Sequence, residues 1–180
     1  MESLDKTHWR VRLAVAMLSE RVRPNSQYRS YLRNLPFEYW GVPMFFNSTI
    51  FNMIQDLSLM QQTRDRCRFL LEFTENVLLP LHKTTLDPFL SQSADVNAFG
   101  WAFAAASSRA LRNPETISES GHVMVPVIDI ASHSFHPTCE VIDTGNNFEM
   151  RALTDLSSGY ELTIDYGPFS NDELFADYGF

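Results

Sequence analysis

The 180-residue sequence is poor in cysteine and glycine, and it has no long apolar run. Its two cysteines, Cys67 and Cys139, are too few for a disulfide framework or a four-cysteine zinc site. No apolar stretch approaches the roughly 18 residues that cross a membrane, and no glycine-rich phosphate loop is present. We therefore expect a soluble, intracellular globular protein with no membrane partner.

Acidic residues are concentrated in the second half of the chain. Residues 1–90 hold 11 Lys and Arg against 9 Asp and Glu, whereas residues 91–180 hold 3 against 13, for a total charge of −8. An acidic half repels phosphate backbones, so no nucleic-acid partner is expected. The same charge attracts a basic peptide or a lysine side chain, although a solvated acidic face explains it equally well.

Apolar spacing predicts helices first and strands second, which is an α+β order. Polar and turn residues separate the predicted segments. The predicted helices cover residues 9–23, 47–61 (with Ile50, Phe51, Ile54 and Leu57 inward), 65–82, 95–112 (largely buried) and 171–178. The predicted strands cover residues 123–130, 139–143, 148–153 and 161–166, and a polar loop covers 116–121.

The residues around His133 contain the side-chain types of two kinds of site, a zinc site and a hydrolase triad. His133, His136 and Cys139 are evenly spaced, as zinc ligands can be, but Pro137 prevents a helix from aligning them and no second ligand pair exists. Asp129, Ser132 and His133 contain the residue types of a hydrolase triad, but the Gly-x-Ser-x-Gly turn is absent. We expect neither a metal nor a hydrolase site.

Two motifs of the second half are more specific when they are taken together. The first is Ser132-His133-Ser134-Phe135-His136-Pro137-Thr138, and the second is Glu161-Leu162-Thr163-Ile164-Asp165-Tyr166. They resemble the two signatures of a SET domain. Segments starting at Pro24 and Ser107, together with the ending Tyr178-Gly179-Phe180, are similar to the branch that includes the Rubisco large-subunit lysine methyltransferase and the actin histidine methyltransferase.

The resemblance implies a protein-lysine N-methyltransferase that uses S-adenosylmethionine and acts on a non-histone protein. It also implies the roles of eight residues. Tyr166 matches the catalytic tyrosine, and Ser108 and Asp129 match positions along the path of the substrate lysine. The positions that match donor-contacting residues are Arg109, Ser132, His133, Tyr178 and Phe180.

The sequence departs from the family pattern at Ser132, where the family has asparagine, and at Thr138, where it has a second asparagine. The first SET strands, with a Gly-x-Gly turn, would precede residue 9, and the substrate-binding domain would follow Phe180. We therefore expect an incomplete SET domain, with a remnant of the first segment at 1–8, a helical insert at 9–115 and a knot-like C-terminal segment at 116–180.

The sequence leaves open the activity of the chain, the acceptor and the compartment. The chain could be a fragment of an active enzyme, or a truncated non-catalytic SET-like protein that serves as an interaction module. The acceptor could be histidine instead of lysine. The compartment could be the cytoplasm or a plastid, and the sequence does not indicate an oligomeric state.

Overall fold

A computed structural model describes residues 2–112 and 121–180, and the backbone alone for residues 2–8. The chain divides into two compact units. The helical unit comprises Met1–Ser108 and Ser170–Phe180, and the β unit comprises Arg109–Phe169. The predicted loop over residues 116–121 falls outside the described residues except for Gly121, and the predicted domain boundaries stay predictions.

The helical unit contains seven helices among its described residues. They are α1 (Glu2–Val22), α2 (Arg29–Asn34), α3 (Ser48–Phe51), α4 (Leu57–Phe73), α5 (Leu79–Leu81), α6 (Val96–Arg109, whose last residue belongs to the β unit) and α7 (Asn171–Tyr178). A 3₁₀ turn at Pro43–Phe45 precedes α3, and a π-helical turn at Thr74–Leu78 joins α4 to α5. Pro80 has no N–H to continue a regular helix, which fits the irregular junction at this point.

The core of the helical unit is built on α6. Phe99 and Phe103 are buried on this helix, and the alanines at 102 and 104–106 are buried with them. Phe99 packs against Phe73 of α4 at a ring-centroid distance of 5.2 Å. Small alanines allow neighbouring helices to approach closely, while each of the two phenylalanines buries a large aromatic ring. The predicted burial of this helix is confirmed.

The predicted helix over residues 47–61 is wrong, because the segment forms two helices. The Asn47 side chain accepts the N–H of Ile50 at 3.0 Å, and that of Asp56 accepts the N–H of Leu59 at 2.8 Å. Each contact is an N-cap, so a second helix starts soon after the first. Ile50 and Leu57 are 45% and 82% exposed, so their predicted inward orientation is also wrong.

The β unit consists of three two-stranded sheets among its described residues. β1 (Ala110–Arg112) pairs antiparallel with β2 (His122–Met124), β3 (Ser132–His133) pairs parallel with β6 (Thr163–Ile164), and β4 (Cys139–Asp143) pairs antiparallel with β5 (Phe148–Ala152). The predicted β4–β5 hairpin is confirmed. Its turn contains Gly145 with a φ of 81°.

Three predicted boundaries in this unit are wrong. The helix expected to reach residue 112 ends at Arg109, and residues 110–112 form β1. The strand expected over 123–130 ends at Met124 and is followed by a 3₁₀ turn, Ile128–Ile130. Pro126 cannot donate to a sheet, and Val127 has a φ of 78° that a strand does not allow. β6 keeps only two of the six residues expected.

The α+β fold class is confirmed: among the described residues the α-helices lie before residue 110 and the strands from residue 110 onward, apart from α7. The predicted helix at 171–178 is confirmed as α7. Ser170 caps it, and Glu173 completes a capping box. No described helix has the length and apolar character that crossing a membrane requires.

Candidate functional site

Arg109 and Asp129 form a buried ion pair in the β unit. Arg109 Nη1 lies 3.4 Å from Asp129 Oδ2 and donates to the Asp129 backbone carbonyl at 3.2 Å. The Asp129 side chain is fully buried and that of Arg109 is 19% exposed. Removing one partner of such a pair is costly, because it leaves an uncompensated buried charge. Within the β unit, these two residues therefore hold the start of the unit at Arg109 to the 3₁₀ turn at Ile128–Ile130.

Tyr166 is the second residue after the end of β6. Its hydroxyl donates to the backbone carbonyl of Ala131 at 2.7 Å. Burial raises the pKa of the Tyr166 phenol above its usual value, while Arg109 opposes and Asp129 adds to this shift. The phenol is therefore neutral near pH 7, and it acts as a hydrogen-bond donor with a fixed direction.

His133 is held against Tyr166 by the β3–β6 pairing. Its Nδ1 accepts the backbone N–H of Tyr166 at 3.3 Å, and the two rings lie 5.2 Å apart. The Phe135 ring packs edge-to-face with the imidazole, at a ring-centroid distance of 4.7 Å. An Nδ1 atom that accepts carries no proton, so a neutral imidazole here has its proton on Nε2.

Ser132 is joined to the second motif through Glu161. The Ser132 hydroxyl donates to Glu161 Oε1 at 2.6 Å. Nearby, the Thr138 hydroxyl accepts the N–H of Thr163 at 2.9 Å and donates to the Glu161 carbonyl at 3.1 Å. Ser132 and Thr138, the two positions that depart from the family pattern, therefore both bond to residues of the Glu-Leu-Thr motif.

The structure brings five of the eight predicted site residues into one unit. Arg109 pairs with Asp129. The Tyr166 hydroxyl bonds to Ala131, which directly precedes Ser132, and His133 contacts Tyr166. The other three residues belong to the helical unit. These are Ser108, whose hydroxyl donates to Ala104 of its own helix at 2.9 Å, and Tyr178 and Phe180, whose rings lie 5.9 Å apart.

Sequence reasoning missed two contributors to this geometry. The Ala131 carbonyl receives the Tyr166 hydroxyl, and no sequence signal marks a backbone acceptor. Glu161 holds Ser132, and its place at the start of the Glu-Leu-Thr motif was a signal that it has a role of its own.

The described residues give no support to the two alternative sites, a metal site and a hydrolase site. Among the described residues, no group of three or more His, Cys, Asp or Glu side chains is arranged to hold a metal ion. Cys139 is buried in the small core of the β unit. The Ser132 hydroxyl donates to a carboxylate, whereas a hydrolase nucleophile would donate to an imidazole.

Comparison with known proteins identifies the class. The family model described as SET domain matches residues 10–167, and the chain therefore belongs to the SET domain family.

Among curated relatives, the actin-histidine N-methyltransferase of Xenopus tropicalis is 29% identical over 94% of this chain and 30% of its own length. That of Homo sapiens is 28% identical over 94% of this chain and 29% of its own length. The chain thus spans under a third of the length of these relatives.

Solved structures of Rubisco LSMT share the fold. Rubisco LSMT bound to AdoMet superposes with a TM-score of 0.76 at 23% identity, over 95% of this chain and 39% of that one. The SET domain of LSMT bound to lysine and AdoHcy gives a TM-score of 0.74 at 23% identity, over 93% of this chain and 40% of that one. The predicted SET-type fold is confirmed.

Proposed function

We propose that the chain forms part of an S-adenosylmethionine-dependent protein methyltransferase that modifies lysine on a non-histone protein. The observation that carries the proposal is the Tyr166 hydroxyl, fixed on the Ala131 carbonyl at 2.7 Å in the unit that also holds the Arg109–Asp129 pair. A directed hydroxyl beside a held guanidinium suits a reaction in which positioning supplies much of the rate.

The residues present fit the methyl donor. When bound, S-adenosylmethionine supplies a sulfonium methyl group for in-line displacement. Arg109 offers a planar fork of five N–H donors, enough to serve Asp129 and also the donor's carboxylate. Phe180 is 61% exposed and offers a ring face to a flat apolar or aromatic group. In this proposal Ser132 and His133 contact the donor, and Tyr178 packs beside Phe180.

The acceptor amine must lose its proton before it can attack. A lysine has a pKa of about 10.4, so desolvation or cationic neighbours must favour the neutral form. Because the Tyr166 phenol is neutral, it can accept a hydrogen bond from the amine and orient its lone pair toward the methyl group. Ser108 and Asp129 are proposed to line the path of the acceptor side chain.

Histidine is a second candidate acceptor, and a specific observation favours it. The curated relatives at 28–29% identity are named actin-histidine N-methyltransferases. Imidazole has a pKa of about 6.5 and is largely neutral at pH 7, so it makes a smaller demand on the site than lysine does. The acidic balance of residues 91–180, 3 basic against 13 acidic, favours a cationic acceptor and so favours lysine.

The test is methyl transfer by the full-length natural protein that contains this chain. The protein is incubated with isotopically labelled S-adenosylmethionine and an undermethylated lysate, and the labelled amino acids are separated after hydrolysis. Labelled methyl-lysine is expected. Labelled methyl-histidine would favour the second acceptor. Donor binding without any labelled product would contradict transfer and favour the non-catalytic interaction module.

A further inference from the structure

Three charged side chains converge in the helical unit, and none of them belongs to the two motifs that resemble the SET signatures. Arg10 of α1 places Nη2 2.7 Å from Asp177 Oδ2, and Arg66 of α4 places Nη1 2.8 Å from Asp177 Oδ1. Asp177 lies near the end of α7. Its side chain is 8% exposed, and those of Arg10 and Arg66 are 17% and 15% exposed. Each carboxylate oxygen of Asp177 therefore lies within ion-pair distance of a different guanidinium, and Oδ2 also accepts a hydrogen bond from Arg10.

Arg66 also acts on the backbone at the end of α7. The same Nη1 atom donates to the carbonyl of Ala176 at 2.9 Å, which lies in the last turn of the helix. Carbonyls in a last turn have no partner within the helix, and a cation there also complements the helix dipole. Gly179 closes the helix in the left-handed conformation, with its N–H donating to Leu174 and Phe175.

A close backbone contact fixes Gly179 from a second direction. A Cβ atom on Gly41 would lie 2.8 Å from the Gly179 carbonyl oxygen, and one on Gly179 would lie 2.6 Å from the Gly41 carbonyl carbon. Only glycine at both positions allows this approach. The backbone around Gly179 is therefore fixed by Arg66 on one side and by the contact with Gly41 on the other. Tyr178 and Phe180 are attached to this fixed backbone.

We propose that Arg10, Arg66 and Asp177 are positioning residues that orient the Tyr178–Phe180 ring pair for the methyl donor. This inference rests on the proposed function, in which that pair contacts the donor. The cluster fixes the rotation of the last turn of α7 about the helix axis and its position relative to α1 and α4. The position of the exposed Phe180 ring depends on both.

A purely stabilising role would not require charges at this place. Replacing a buried ion cluster with apolar residues of similar volume is often neutral or stabilising. Apolar side chains, however, pack in many directions, whereas two guanidinium groups and one carboxylate accept few geometries. The two roles therefore separate when the cluster is made apolar: stability is retained in both cases, and donor affinity falls only if the cluster has a positioning role.

The experiment uses the full-length natural protein and the triple variant Arg10→Met, Arg66→Met, Asp177→Leu. The matched control is Arg12→Met, Arg68→Met, Asp65→Leu, which alters exposed residues of α1 and α4. Titration calorimetry with S-adenosylmethionine gives the Kd, and thermal unfolding gives the midpoint. We expect a midpoint near that of the wild type and a Kd at least about tenfold higher in the cluster variant, as when orienting groups behind a binding residue are removed. The control is expected to match the wild type in both.

The failures can be told apart. Wild-type affinity in a folded cluster variant would overturn the positioning role and leave the proposed function standing. No donor binding by the wild type would overturn the proposed function and this inference with it. If the triple variant does not fold, the single variant Arg10→Met decides the question, because Asp177 keeps its pairing with Arg66 and no charge is left uncompensated; an unchanged Kd there would also overturn the positioning role.

Discussion

The helical unit and the β unit are each stabilised internally by a different kind of interaction. The helical unit has a continuous apolar core in which α6 packs against α1 and α4, with Phe99 fully buried. The buried cluster of the β unit is much smaller, with Ala131, Cys139 and Ile164 at its centre. Its described strands are two to five residues long and pair only two at a time.

Hydrogen bonds made by side chains compensate for this small core. Thr138, Ser132 and Tyr166 each bond to another segment of the β unit. Apolar packing therefore defines the helical unit, whereas polar contacts define the unit that carries most of the candidate site. Polar contacts are directional, so they suit a site that must orient groups, and they are individually weak.

The largest expected effect is the loss of Phe99. Phe99→Ala removes a fully buried ring and leaves a cavity, so the free energy of unfolding should fall by about 3–5 kcal/mol. Urea unfolding followed by circular dichroism measures the change. Phe37→Ala is the control, because Phe37 is 85% exposed and should cost under about 0.5 kcal/mol. Equal losses in the two variants would show that the core is not where the stability of this unit lies.

The next effect concerns binding in the β unit. Arg109→Ala should raise the Kd for S-adenosylmethionine roughly tenfold to hundredfold, because a charge-assisted hydrogen bond contributes about 1.5–3 kcal/mol. Arg112→Ala, at an exposed position in β1, should leave the Kd unchanged. Calorimetry on the full-length natural protein is the measurement. An unaltered Kd in folded Arg109→Ala would make Arg109 a purely structural partner of Asp129.

A smaller effect tests the polar contacts directly. Thr138→Val keeps the side-chain shape and removes the hydroxyl that joins Thr163 and Glu161. We expect a loss of about 1–2 kcal/mol in the free energy of unfolding of the β unit. Thr154→Val, in the same unit but exposed, should change it little. If both variants are as stable as the wild type, the β unit does not depend on these bonds.

The smallest expected effect is on a titration. Because burial raises the pKa of the Tyr166 phenol, Tyr166 should ionise above pH of about 10. The stability that this shift contributes is fully present below that pH and is lost as the pH rises through the raised pKa. The near-ultraviolet phenolate signal of the wild type minus that of Tyr166→Phe gives the curve. A short unstructured peptide that contains one tyrosine gives the reference curve, and coincident curves would contradict the account.

Sequence predicted the periodic parts of the fold well. The buried face of α6, the β4–β5 hairpin and α7 all follow from apolar spacing and turn residues. The two-residue strands β3 and β6 could not be delimited in this way, because so short a pairing leaves no period to detect. The break between α3 and α4 was missed because Ile50 and Leu57 fit a helical spacing although both are exposed.

The candidate site shows the same division. The family resemblance supplied Arg109, Asp129 and Tyr166, and the structure places them in one unit. It could not supply the Ala131 carbonyl, which is a backbone atom, or the Arg10–Asp177–Arg66 cluster, whose members are 56 to 167 positions apart in the chain. Contacts across such distances depend on tertiary packing, and no local pattern encodes them.

The most direct test of the central claim is the rate of methyl transfer by Tyr166→Phe in the full-length natural protein. With saturating S-adenosylmethionine, the account predicts at least a roughly hundredfold loss of turnover, the effect of removing one oriented hydrogen-bonding group from a reacting centre. Donor affinity should stay close to that of the wild type. Unchanged turnover would contradict the role of Tyr166 and, with it, the reaction site described for the β unit.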